Sequence, residues 1–133
     1  MTEKELSQYF YLKKEIEDLE ERIAKLGLGI GSIEIKDIPG GTKKISSIQE
    51  KIVELKEKWI NARISALEEY LKIEKYINGI EDSELRSIFR MRYLDLKKWE
   101  EIGFKHNYDR TTISKKVRGY IKHSHNSHTE MIK

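Results

Sequence analysis

The sequence predicts an all-α protein: a long helical hairpin or coiled-coil arm followed by a small helix-turn-helix domain. Three observations carry this. Apolar residues recur at alternating spacings of three and four over two long stretches. The only proline in 133 residues is Pro39, so long helices are permitted almost everywhere. Charged residues (37%) nearly equal hydrophobic ones (38%), a balance that suits amphipathic helices with wet faces better than a thick globular core.

The first helix is expected over residues 3–26. Leu12, Ile16, Leu19, Ile23 and Leu26 form a heptad seam, with Glu and Lys on the other faces. Under three heptads is short for an isolated helix, so this one needs a partner. Gly27, Gly29 and Gly31 are expected to stop it. The stretch "GLGIGSIEIKDIPGG" then reads as a loop over 27–42, with a short extended piece at Ile33 and Ile35.

The second helix is expected over about 43–78, with Thr42, Ser46 and Ser47 as capping residues. Ile45, Ile48, Ile52, Leu55, Trp59, Ala62 and Ala66 keep the three-four rhythm. A second stripe, Ile60, Ile64, Leu67 and Leu71, opens on another face. At ~1.5 Å per residue this helix is ~50 Å long, more than a small domain spans. The seam residues Leu12, Ile16, Leu19, Ile23, Leu26, Ile48, Ile52, Leu55 and Trp59 are therefore expected to join protomers. Residues 1–80 read as a helical oligomerisation arm.

Residues 81–122 read as a separate helical domain, and 123–133 as a flexible tail. "NGIEDS" breaks the second helix, and Asp82 or Ser83 caps the next, with Leu85, Ile88, Phe89 and Tyr93 inward. "LDL" at 94–96 is a turn. A helix over 97–105 buries Trp99 and Ile102. A last one over 110–122 buries Ile113, Val117, Tyr120 and Ile121.

These last two helices have the grammar of a helix-turn-helix. Gly103 allows two helices to approach closely. Asn107 tolerates the left-handed backbone that such a turn needs. Tyr108 plugs the space between the helices, and Asp109 caps the second. The exposed face of that second helix presents Arg110, Thr111, Thr112, Ser114, Lys115 and Arg118. Arginine reads guanine edges, serine and threonine offer hydrogen bonds or a methyl contact, and lysine binds phosphate. From Arg110 to Lys122 there are five basic residues and no acidic one. Residues 97–133 hold nine Lys/Arg against four Asp/Glu, so the net charge of +3 hides a +5 end and a −2 remainder. A polyanion is expected to meet the basic end.

"SIFRMRYLDLKKWEEIGFKHNYDRTTISKKV" resembles region 4 of bacterial sigma factors, the helix-turn-helix that reads the promoter −35 element. The correspondence is an Arg-Tyr before the turn, Trp-x-x-Ile-Gly, a polar turn residue, then Arg-x-x-Ile, within residues 84–121. The whole layout, with its Asp-x-Pro loop, is similar to phage late-transcription regulators of the ArpU/RinA-like type. The resemblance implies base reading by Arg110, Thr111, Ser114, Lys115 and Arg118, and DNA-backbone contacts by Lys97, Lys98 and Lys116. It implies double-stranded DNA as partner, with RNA polymerase as a further one. His106 departs from the pattern, standing where an apolar residue packs under the turn. Either Phe104 substitutes for it or the turn is shifted by one residue. Nothing matches the sigma region that reads the −10 element, so a complete sigma factor is not expected.

Other functions are weighed against this. Cysteine is absent, which removes disulfides, thiolate metal sites and cysteine nucleophiles, and is compatible with a reducing cytosol. The first ten residues lack the apolar core of a signal peptide, and no apolar run approaches the ~20 residues of a membrane span. The expected location is the bacterial cytoplasm, at the nucleoid, with no membrane partner. His123, His125 and His128 lack a carboxylate cluster, so no metal is expected, nor any other cofactor. The residues suggest no enzyme active site. The alternatives to a transcription regulator are a small terminase subunit for phage DNA packaging and a polymerase-binding module that does not read DNA.

Overall fold

Helices account for the regular structure among the described residues. The computed structural model describes the backbone of residues 1–32 and 42–132, and the side chains of residues 1–27 and 46–124. Among these the fold is all-α: α1 is Glu3–Ser32, α2 Thr42–Asn78, α3 Ser83–Phe89, α4 Trp99–His106 and α5 Arg110–Ile132. α3 continues without a break as one π-helical stretch, Arg90–Leu94. The extended piece expected at Ile33 and Ile35 lies outside the described residues.

Three boundaries differ from the sequence reading. α1 does not stop at Gly27 but runs on to Ser32. A glycine inside a helix costs roughly 0.5–1 kcal/mol yet still makes its hydrogen bonds, so it weakens a helix without ending it. α5 does not end near Lys122 but continues to Ile132, because residues 123–132 contain neither proline nor glycine. Ser46 and Ser47 lie inside α2, which has already begun at Thr42, so they are not caps.

The chain forms two compact units that do not divide at residue 80. One comprises Leu12–Ala66, the other Met1–Tyr11 with Leu67–Lys133. The two long helices each contribute to both units, because their apolar stripes continue past any single domain boundary.

In the Leu12–Ala66 unit, α1 and α2 run antiparallel. The Trp59 indole donates to Glu20 Oε1 at 3.1 Å, and Leu26 lies beside Ile48 and Lys51. Ile16, Leu19, Leu55, Ala62 and Ala66 form the core, with Leu12, Ile23, Leu26 and Trp59 packed against it. The seam assigned to oligomerisation is thus used within one chain: the partner that α1 needs is α2. Ile48 and Ile52 are half-buried.

In the other unit, the core is built from Leu6, Ile73, Ile77, Ile80, Ile88, Phe89, Ile102, Ile113, Val117 and their neighbours. Tyr9 and Tyr70 meet edge to face at 5.4 Å. Asp82 caps α3 by accepting from the amides of Glu84 and Leu85. Arg86 clamps the turn before it by donating to the carbonyls of Ile80 and Glu81. The π stretch widens the turn after Phe89, which brings Met91, Tyr93 and Leu94 inward as well. The "LDL" turn is closed by the Asp95 amide on the Arg90 carbonyl and by Leu96 in the left-handed region at φ 59°.

Leu19→Ala is expected to lower the unfolding free energy by about 2–5 kcal/mol, as for other buried leucines. Because the seam is internal, molar mass by light scattering should stay at the wild-type value. A variant whose mass falls would return the seam to a role between protomers.

The Tyr93 hydroxyl is buried with no hydrogen-bond partner among the described residues. Burial pushes its pKa up to about 12, with Glu3 adding to the rise. Below about pH 10 both folded and unfolded chains keep the proton. Between about 10 and 12 the unfolded chain sheds it first, so stability falls as pH rises through that window. Tyr93→Phe should be at least as stable as wild type near neutral pH and lose less on going alkaline, measured by urea unfolding at both pH values.

Candidate nucleic-acid interface

The site is built on α4, a three-residue turn and α5. α4 begins after Lys98, an extended residue (ψ 151°) with no side-chain cap, and carries Glu100 and Glu101 in its first turn, where the helix dipole favours negative charge. The Arg92 guanidinium lies 4.4 Å over the Trp99 ring and donates to the Lys97 carbonyl at 3.1 Å. These contacts fix the backbone that displays Lys97 and Lys98, both exposed.

The turn has the stereochemistry its residue types suggested. Asn107 sits in the left-handed region at φ 60°, ψ 39°. The amides of Asn107 and Tyr108 both donate to the Gly103 carbonyl. A Cβ on Gly103 would lie 2.5 Å from the Tyr108 carbonyl oxygen, so only glycine fits. Asp109 accepts from the Thr111 amide at 3.3 Å and starts α5.

α5 turns Ile113, Val117 and Ile121 into the core. Ser114 follows them and is buried, its hydroxyl donating to the Thr111 carbonyl at 3.0 Å. It is therefore not on the exposed face where the sequence reading placed it: one residue from Ile113 and three from Val117, it lies on the core side of the helix. Thr111, Thr112, Lys115 and Arg118 are exposed as expected. His106 is half-buried, 3.5 Å from Ser87 Oγ. Phe104 does not take its place, since it is 87% exposed.

Residues 28–124 match the family described as "Protein of unknown function (DUF1492)". The chain belongs to this family. The matched segment covers nearly three quarters of the chain and includes α2, α3, α4 and most of α5, hence the whole helix-turn-helix. No curated protein matches the chain, and no solved structure does.

Within the DUF1492 segment several of the expected DNA-binding cations are held by carboxylates. Arg110 Nη1 is 3.1 Å from Glu100 Oε1. Lys97 pairs with Glu101 at 3.9 Å. Lys116 is 3.5 Å from Glu84, 3.2 Å from the Tyr108 hydroxyl and 4.7 Å over the Tyr108 ring. Its pKa is raised, chiefly by the hydrogen bond to Tyr108 and further by Glu84. The Tyr108 hydroxyl in turn donates to Glu84. Lys116 thus ties α5 to α3 as well as carrying charge. Arg118 pairs with Glu3 at 3.4 Å, an acid that precedes the matched segment. Sequence reading missed Glu3, Glu84 and Glu100 as partners, because nothing in local spacing links residues 10, 32 or 115 positions apart.

Lys115 and Thr112 make no side-chain hydrogen bond or ion pair with another described residue. No group of three metal-ligating side chains occurs among the described residues. His125 and His128 have side chains outside them, and His123 is exposed. No described helix is long and apolar enough to cross a membrane.

Gly103→Ala should force the α4–α5 turn open, at a cost of about 1–3 kcal/mol. Thermal unfolding measures it. A variant that melts with wild type would mean that the turn can yield without loss.

Proposed function

We propose that this chain is a sequence-specific DNA-binding transcription regulator of phage or prophage origin, acting on late genes in the host cytoplasm. The reading rests on the sigma-region-4-like pattern and the ArpU/RinA-like layout described above. The observation that carries it is the helix-turn-helix stereochemistry of Gly103, Asn107 and Asp109, with a basic α5 whose outer face holds no acidic side chain between Arg110 and Lys122.

In this reading α5 enters the major groove by its N-terminal turns. Thr111, Thr112 and Lys115 meet the bases directly. Arg110 and Arg118 reach them by exchanging Glu100 and Glu3 for DNA. Such an exchange is favourable: an exposed ion pair is worth about 0–1 kcal/mol, and a bidentate arginine-guanine contact discriminates by roughly 1–3 kcal/mol. Lys97 and Lys98, at the start of α4, contact phosphates. Lys116 holds α5 on α3 and adds positive potential. The protein acts as a homo-oligomer, with RNA polymerase as a further partner.

The test is binding-site selection followed by fluorescence anisotropy at several salt concentrations. Arg110→Ala should weaken specific binding by about ten- to a hundred-fold and relax preference at one base pair, while non-specific binding falls far less. Lys98→Ala should weaken binding to all sequences alike and flatten the log–log salt slope by roughly 0.9. Failure of the wild-type chain to enrich any sequence would overturn the reading.

A further inference from the structure

α2 carries a second apolar face that no described residue covers. Ile60, Ile64, Leu67 and Leu71 are 49–63% exposed, and Val53 follows the same line. Their spacings of four, three and four are those of a coiled-coil seam. The face points away from the side of α2 that holds Leu55, Ala62 and Ala66, so a helix can lie against it without displacing α1.

We propose that this stripe pairs with the same stripe of a second copy, the two α2 helices lying parallel and in register. Four points favour that occupant. The seam is self-complementary, as a two-fold interface requires. Alongside the four layers its flanks carry opposite charge: Lys56 and Arg63 on one side, Glu54 and Glu68 on the other, with Lys75 beyond the last layer. A parallel pairing sets Arg63 opposite Glu68 of the second copy twice over. An antiparallel pairing of the same four layers sets Arg63 opposite Tyr70 and Glu68 opposite Asn61, and its one opposite-charge contact, Glu54 with Lys75, lies beyond the apolar layers and uses a glutamate already engaged by Lys51 and Lys58. Glu57 and Glu74 bound the stripe and confine the contact to its four apolar layers.

The oligomerising surface is thus neither the α1–α2 seam nor the DNA-facing helix, and the inference stands whether or not the chain reads DNA. Sedimentation equilibrium of the full chain at micromolar concentration should give twice the 15.8 kDa chain mass. Ile64→Asp should bring it to one chain with unchanged helical circular dichroism, because the position is solvent-facing within each protomer. A wild-type monomer, or a folded Ile64→Asp dimer, would overturn the proposal.

The chain has no cysteine, so Ile60→Cys provides a second and independent measurement. In the parallel pair the two Cβ atoms face each other within disulfide reach. Mild oxidation should yield a covalent dimer from this single variant. If only the Ile60→Cys, Leu71→Cys double variant cross-links, the helices run antiparallel and the proposed register is wrong. If neither does, the stripe does not pair with itself, and this decides the question even where Ile64→Asp fails to fold.

Discussion

One carbonyl oxygen organises the helix-turn-helix. Gly103 O accepts from two successive amides, those of Asn107 and Tyr108, and this double acceptance terminates α4 and sets the direction of the chain into α5. It requires a left-handed residue at 107 and a bare Cα at 103, against which the Tyr108 carbonyl closes. Once the turn is set, Tyr108 reaches Glu84 on α3 and Ile113 and Val117 drop onto Ile102 and Phe89 in one core. The outward direction of Thr111, Thr112 and Lys115 is then a consequence of helical phase.

That turn was legible in the sequence because its requirements are local and stereochemical. Few residues other than asparagine and glycine relieve a positive φ or a close approach, so their types betray the geometry. The helices of the core were legible for a similar reason, through three-four spacing. Ser114 was misplaced because a hydroxyl looks equally at home on either side of a helix. Its burial follows from satisfying the hydroxyl on its own helix, at the Thr111 carbonyl, which no composition argument sees. The α1 seam shows a different limit. A heptad pattern states that a helix needs a partner, not whether the partner belongs to the same chain. The π stretch left no trace at all, since Arg90–Leu94 has ordinary helix-forming residues.

The electrostatics show restraint rather than a bare positive surface. Glutamates at 3, 84, 100 and 101 each stand within 4 Å of a cation of the basic end. All four glutamates are solvent-exposed, so each pair contributes little energetically. In the proposed reading, a polyanion has to displace only these weak pairs.

The two compact units each contain one tryptophan, Trp59 in the first and Trp99 in the second. Each ring lies under an arginine, Arg63 at 4.8 Å and Arg92 at 4.4 Å, and each is half-buried. The protein therefore carries its own pair of optical reporters, one per unit. Exchanging either indole for phenylalanine leaves a single tryptophan, whose emission, excited selectively above the tyrosine band, follows the melting of its own unit. Whether the two halves of the chain unfold as one cooperative event or as two can be watched without any added dye.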